Sequence, residues 1–362
     1  MNSLIVKSVL FAMALLIHQF AAAKSNLDLL KVPAGFKIEL FESDVPNART
    51  MVLGTNGTLF VGTRNEGVVY AIKNNKRYII AEDLNMPNGL AFRDKALYIG
   101  AVDKLFRMDD IEARLDNPPI PTLIRDDLPS ETHHGWRYMD FGPDGRLYMA
   151  IGAPCNVCLK KDYAVIRSMN ADGTDERVEA RGIRNTVGFT WHPVSKKLWL
   201  SDNGRDMMGD DIPPDEINRV DEFQEHFGFP YCHGGTIADP EFNDLSCRAF
   251  TPPIQALGAH VAPLGIAFYT GKQFPKAYKN RLFVAEHGSW NRSKKSGYKV
   301  MMATITGSDE DEIITKYEPF VTGWLQGQKA WGRPAYVLVL KDGSLLISDD
   351  RGGAIYRVSY TQ

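Results

Sequence analysis

Six times along this chain a cluster of turn formers leads into Leu, then an aromatic or aliphatic residue, then small or polar residues where a strand would stop. The copies are TNGTLFVGT (55–63), RDKALYIGA (93–101), PDGRLYMAIG (143–152), VSKKLWLSD (194–202), YKNRLFVAE (278–286) and KDGSLLISD (341–349). After several of them a polar turn precedes another short strand, as in GVVYAI (67–72), KLFRM (104–108) and GGAIYRV (352–358). Short strands rich in β-branched and aromatic residues, punctuated by Gly, Asp and Asn, with little helical periodicity, indicate an all-β protein. Repeats spaced at about 40 residues or more are those of propeller blades, each of which buries its faces only against its neighbours. The expected fold is an all-β, six-bladed β-propeller with the repeated segment as an inner strand of each blade.

The spacing is uneven, and the longest gap separates Leu198 from Leu282. It holds the Pro-rich DDIPPDE and the pair Cys232 and Cys247. Long insertions in a propeller emerge as loops on a face, where binding sites are commonly built. Residues 24–362 are therefore read as one domain, with loop insertions between about 203 and 275. Lys7, the apolar run Val9 to Ile17 and Ala21-Ala22-Ala23 before Lys24 have the order of a secretory signal with a small-residue cleavage site, giving residues 1–23 as a signal peptide. That run is too short to span a bilayer, and no later segment is long and apolar enough. The mature chain is expected to be exported, periplasmic or secreted, with no membrane span. The formal net charge of −2, without a basic run, gives no nucleic-acid surface.

Export puts the four cysteines where disulfides persist. Cys155 and Cys158 form a C-x-x-C, and with Cys232 and Cys247 they allow three connectivities. Local pairing, 155–158 and 232–247, is the expectation. Zinc is the sharper alternative because His233 adjoins Cys232, although a second C-x-x-C or H-x-x-x-H is missing. A c-type haem would need His where Leu159 stands.

His133 and His134 precede the strand YMDFG and the third repeat, in a segment that would approach the central channel. ARGIRNTVGF (180–189) brings Arg184 and Asn185 to the corresponding entrance of the fourth blade, offering a guanidinium fork and an amide. SDNGRD (201–206) follows that blade's repeat, a turn of the kind whose exposed carbonyls can bind a hard cation such as Ca²⁺. Asp210, Asp211, Asp215 and Glu216 form an acidic stretch that could add structural Ca²⁺ sites or simply be solvated.

His134 before FGPDGRLYMAIG, then GIRN-x-x-G-F, SDNG with PDEIN, FGFPYCHGG, HVAPLGIAFYTG and EHGSWNR together resemble the soluble sugar dehydrogenases dependent on pyrroloquinoline quinone (PQQ), the sorbosone dehydrogenase branch most closely. The resemblance covers most of the mature chain. It implies PQQ and Ca²⁺ as cofactors and oxidation of an aldose or a sugar-derived aldehyde or alcohol, with electrons passed to a cytochrome, a quinone or a dye. By the same resemblance His134 is the base that removes the hydroxyl proton while hydride passes to the quinone C5 carbon. Arg184 and Asn185 contact the quinone oxygens, with Arg184 also stabilising developing charge. Gly204 and Arg205 hold Ca²⁺ through backbone carbonyls, with polar Asn203 beside them. Arg333 in WGRPAY, and Arg292 and His287 in EHGSWNR, are further candidates for the cofactor and its three carboxylates. The chain departs from the glucose enzymes in one place: Ala153 stands where they have an aspartate that orients the histidine, which leaves Asp140 or another acceptor for that task.

The chemistry supports these roles independently. Loss of hydride from an alcohol or hemiacetal requires proton removal, for which a neutral imidazole is suited near neutral pH. An arginine and a cation stabilise the charge that develops on the accepting oxygen. Two other classes compete: a Ca²⁺-dependent propeller lactonase, whose metal would be held by Glu, Asn and Asp side chains, and a non-catalytic propeller that binds a partner or glycan.

Overall fold

The computed structural model describes residues 26–361, so the proposed signal peptide lies outside the described residues. Six antiparallel sheets form a closed ring, as the repeats require. The first strands of the blades, Ala48–Leu53, Gly89–Arg93, Met139–Phe141, Phe189–Trp191, Pro263–Phe268 and Pro334–Val339, each pack against the next around the axis. The ring closes with the N-terminal strand Phe36–Ser43, which pairs antiparallel with Ala354–Tyr360 and becomes the outer strand of the sixth blade, with Ile38 opposite Val358.

The repeated segment is the second strand of each blade, with one strand nearer the axis: Leu59–Thr63, Ala96–Gly100, Leu147–Ile151, Leu198–Asp202, Leu282–Glu286 and Leu345–Asp349. The second strand is hydrogen-bonded on both edges and covered on both faces by neighbouring blades, so its run of apolar residues is the most continuous. The first strands converge at the axis, where backbones crowd. A Cβ at Gly188, for example, would lie 2.3 Å from the Leu264 carbonyl oxygen. Small residues there hide the strand from a pattern search.

Between blades the core divides into separate apolar layers. Phe60, Leu97, Ile99 and Ile111 fill the gap between blades 1 and 2. Met139, Leu147, Met149 and Tyr98 fill the next. Trp199, Ile217, Ile266 and Val284 join blades 4 and 5, and Phe283, Val300, Val337 and Tyr356 join 5 and 6. Full burial of each such side chain contributes about 1.5–3 kcal/mol, so stability is spread around the ring. At the axis the Tyr138 and Tyr336 hydroxyls pair at 2.8 Å, linking blades 3 and 6.

The long gap is only partly decoration. Pro214–Val220, within PPDEINRV, is the third strand of blade 4, and Gln255–Ala259 is its fourth. What is inserted is the intervening segment, in which Glu225–His226 adds a parallel strand to blade 3 and Cys232–His233 pairs with Ile237–Ala238. The cysteines pair locally as expected, Cys155 with Cys158 and Cys232 with Cys247. His233 hydrogen-bonds Asp239 at 2.8 Å.

Candidate functional site

Loops that enter the first strands and loops that leave the second strands meet at one end of the ring, around a cavity of about 800 Å³. His134, Arg184, Asn185, Asn203, Gly204, His287 and Arg333 all line it, although they come from blades 3 to 6.

His134 sits in a tight turn, Thr132 to Gly135, with φ of 52°. A left-handed conformation at a non-glycine residue is strained and must be held by its surroundings. Gly152 is one reason it can be held, because a Cβ there would lie 2.7 Å from the His134 Cβ and 3.3 Å from the Asn185 Oδ1. The ring Nδ1 lies 2.7 Å from the Ala153 carbonyl oxygen. A carbonyl only accepts, so Nδ1 carries the proton and Nε2 is left as a bare acceptor. Ala153 therefore orients the histidine through its backbone carbonyl. Asp140 does not: its carboxylate accepts from the Phe141 amide, and burial pushes it up to about 6. Burial, with Arg184 and His133 adding repulsion, holds His134 well below the usual imidazole range, so the ring is neutral.

Arg184 and Asn185 are placed by Asp202, the last residue of the fourth repeat strand. Its two carboxylate oxygens accept from their backbone amides at 2.9 and 2.7 Å. The Arg184 guanidinium donates to the Asn156 carbonyl (2.8 Å), the Asn156 Oδ1 (2.9 Å), the Asn203 carbonyl (3.1 Å) and Asp206 (3.2 Å). Four of its five N–H groups are thus committed, and one is left for a ligand. Asn185 Oδ1 is buried without a partner. The carbonyls of Gly204 and Arg205 accept no hydrogen bond among the described residues. Asp215, within the acidic stretch, fixes that turn by accepting from the Gly204 amide at 2.7 Å, and burial pushes it up to about 7.

The cavity is also lined by residues that the sequence did not single out. Arg49 and Arg64 line the cavity beside Arg333, and both guanidiniums lie over the Trp136 ring, at 5.2 and 4.6 Å from its centroid. Arg49 bonds Asp350 at 2.8 Å, and Asp350 accepts from His287 Nε2 at 2.9 Å. Arg333 donates to the His287 and Gly288 carbonyls. Asp350 is held far below the usual carboxylate range, chiefly by Arg49 and His287 acting against its burial. Burial brings His287 down to about 3, so that ring is neutral. Arg49, Arg64 and Arg333 therefore share one carboxylate, a net positive wall beside an aromatic face.

Two named residues stand apart. Arg292 does not line the cavity; it pairs with Asp211 at 2.6 Å on an exposed loop. The Arg205 side chain turns away to Asp239 and Glu241. The acidic stretch does not converge either, since Asp210 accepts from the Ser293 amide and Glu216 from the Gly234 amide. Among the described residues, no group of three His, Cys, Asp or Glu side chains could hold a metal ion.

Comparison with known proteins agrees with this architecture. The holo PQQ domain of pyranose dehydrogenase from Coprinopsis cinerea superposes with a TM-score of 0.78 at 19% identity, covering 91% of this chain and 97% of that one. The calcium structure of the carbohydrate-active enzyme of family AA12 from Trichoderma reesei gives 0.80 at 18%, over 92% and 97%. The PQQ-bound aldose sugar dehydrogenase of Streptomyces coelicolor gives 0.63 at 18%, over 91% and 99%. In sequence, an uncharacterized protein of Borreliella burgdorferi is 40% identical over 356 residues, 94% of this chain and 93% of its own. The TrAA12-like family matches residues 162–361, more than half of the chain, from the end of the loop that carries Cys155 to the strand that closes the ring. The chain belongs to the TrAA12-like family.

Proposed function

We propose that this protein is an exported oxidoreductase dependent on PQQ and Ca²⁺ that oxidises an aldose sugar or a sugar-derived aldehyde or alcohol. One observation carries the reading: a neutral histidine with a bare Nε2 shares its cavity with three arginines that have a single carboxylate between them. The first suits proton abstraction and the second suits a polycarboxylate. The names of the structural neighbours, a pyranose dehydrogenase PQQ domain and an aldose sugar dehydrogenase, supply the matching chemistry.

The residues present fit the cofactor. Arg49, Arg64 and Arg333 would hold its carboxylates beside Trp136, while Arg184 and Asn185 would donate to the quinone oxygens through an uncommitted guanidinium N–H and the side-chain Nδ2. The free carbonyls of Gly204 and Arg205, next to Asn203, would hold Ca²⁺. When bound, PQQ supplies the two-electron acceptor for hydride. His134 takes the substrate hydroxyl proton at Nε2, while the Ala153 carbonyl keeps the other nitrogen protonated and the ring aimed. Arg184 stabilises negative charge that develops in the cavity, and its burial strengthens that interaction.

The test is a titration of the purified protein with PQQ in the presence and absence of Ca²⁺, with dye reduction assayed against aldoses and lactones. Stoichiometric Ca²⁺-dependent binding with sugar-dependent dye reduction is expected. His134→Ala should still bind the cofactor and lose turnover by about 10²–10⁴-fold. No binding at micromolar PQQ would overturn the reading. Lactone hydrolysis would then point to the lactonase, and silence on every substrate to a binding propeller.

A further inference from the structure

We propose that the Cys155–Cys158 disulfide loop is a working part of the site: it presents Asn156 as the positioning residue that clamps Arg184 to the Asn203–Asp206 turn, and reduction of the bridge disables the enzyme. The inference deepens the functional reading above and rests on it for its effect on turnover.

Asn156 lies between the two cysteines and uses every polar group but its own amide. Its backbone carbonyl accepts from Arg184 Nε at 2.8 Å. Its Oδ1 accepts from Arg184 Nη2 at 2.9 Å and from the Asp206 amide at 2.8 Å. Its Nδ2 donates to the Asp206 carbonyl at 3.0 Å. Three of these four bonds come from one side-chain amide, with oxygen toward two donors and nitrogen toward an acceptor. Two residues before Cys155, the Ala153 amide donates to the Arg184 carbonyl at 2.8 Å while its carbonyl holds His134. One short stretch, 153–156, thus touches the proposed base, the proposed quinone-binding arginine and the proposed cation-binding turn.

That stretch has no regular structure to hold it. Residues 152–164 run without strand or helix between Leu147–Ile151 and Val165–Met169. Ordering so long a loop costs conformational entropy, and a cross-link at its start removes much of that freedom. Both cysteines are half-buried, so a small dithiol can reach them. In the reaction a dithiol reductant gives two electrons and two protons. The Cys155–Cys158 S–S bond breaks, two thiols form, and the reductant leaves as its own disulfide. Asn156 then loses its frame, and with it the registry of Arg184 and the 203–206 turn.

The experiment compares Cys155→Ser/Cys158→Ser, Asn156→Ala and Asn156→Asp with the unmodified protein. The serine pair isolates this bridge from Cys232–Cys247, which a reductant would also attack. Two readouts are used. Proton–nitrogen correlation spectra of the His134 ring in cofactor-free protein report its tautomer without reference to PQQ, and turnover is measured with sugar, PQQ and Ca²⁺. The unmodified protein should show the Nδ1–H tautomer alone. The serine pair and Asn156→Ala should show a tautomer mixture and lose kcat by about tenfold or more, with KM changed less. Asn156→Asp keeps the two Oδ1 acceptor bonds but turns the donor to the Asp206 carbonyl into a second acceptor, so its rate should fall between those of Asn156→Ala and the unmodified protein. An unchanged tautomer and rate in the serine pair and Asn156→Ala would overturn the proposal, as would an Asn156→Asp variant as active as the unmodified protein. If the serine pair does not fold, the two Asn156 variants decide. If PQQ does not bind at all, the functional reading fails while the tautomer comparison still decides the clamp.

Discussion

A backbone carbonyl in place of a carboxylate changes what the histidine can be. The Ala153 oxygen fixes the ring and its tautomer, but it brings no full negative charge to favour the imidazolium. Burial and Arg184 both act against the charged form. The base is therefore unprotonated well below the ordinary imidazole pKa of about 6.5, and kcat/KM should stay flat from pH 8 down through pH 6, falling only in more acid solution. An acid limb centred near 6.5 or above would contradict this. The same corner makes a steric prediction. Gly152→Ala puts a methyl group against both the Cβ and the carbonyl oxygen of His134, at 2.7 and 2.9 Å, so the ring must move. Turnover should fall by about 10²-fold, the cost of a displacement near 1 Å at a reacting group, with the thermal midpoint also lowered as the buried turn shifts; an unchanged rate would show that the turn can give.

Among the elements, the repeat strands do more than fill the core. The fourth and sixth copies both end in Ser-Asp, and both aspartates face back to the arginine that enters the same blade. Asp202 accepts from the Arg184 amide, and Asp349 accepts from the Arg333 amide at 2.8 Å. A blade thus carries its own device for placing a rim arginine. Burial pushes Asp349 up to about 7, against an ordinary value of 3.8. A carboxyl raised in this way contributes stability that is full below about 4 and lost as pH rises through about 7. Asp349→Asn keeps a neutral acceptor for the Arg333 amide, so its thermal midpoint relative to the unmodified protein should climb between pH 5 and 8; a difference that is flat or falls would contradict the assignment. The pair of Ser-Asp ends was visible in the sequence as a strand terminus, and the use made of it was not. The ring of six was legible because second strands are buried on both faces, whereas the first strands were masked by glycines at the axis. His134, Arg184 and Arg333 were legible as residues at blade entrances. Arg49 and Arg64 were not, because they come from the first blade, where no motif flags them, and gain meaning only from Asp350 some 300 residues away. Arg292 misled because its loop resembles a cofactor segment, while its charge is spent on Asp211 at the rim.

For the whole molecule, the ring is held by one joint unlike the others. Blades 1, 2 and 5 are built from consecutive strands and blades 3 and 4 exchange only the nearby Glu225–His226, whereas the sixth borrows Phe36–Ser43 from the other end of the described chain. Phe36 packs edge-on against Phe274, Tyr278, Phe320 and Tyr360, joining that strand to blade 5 as well. Removing residues 36–43 should leave Ala354–Tyr360 as an exposed edge, lower the thermal midpoint and cause association visible by light scattering; a monomer of unchanged stability would show that the outer strand is dispensable. The joint also sets an order in time. The first five blades can pair their strands without it, but Phe36–Ser43 has no partner until Ala354–Tyr360 reaches it from the far side of the described chain. Until the ring closes that strand is unpaired, and the cavity, which needs Arg333 and Asp350 as well as His134, is whole only once it has closed.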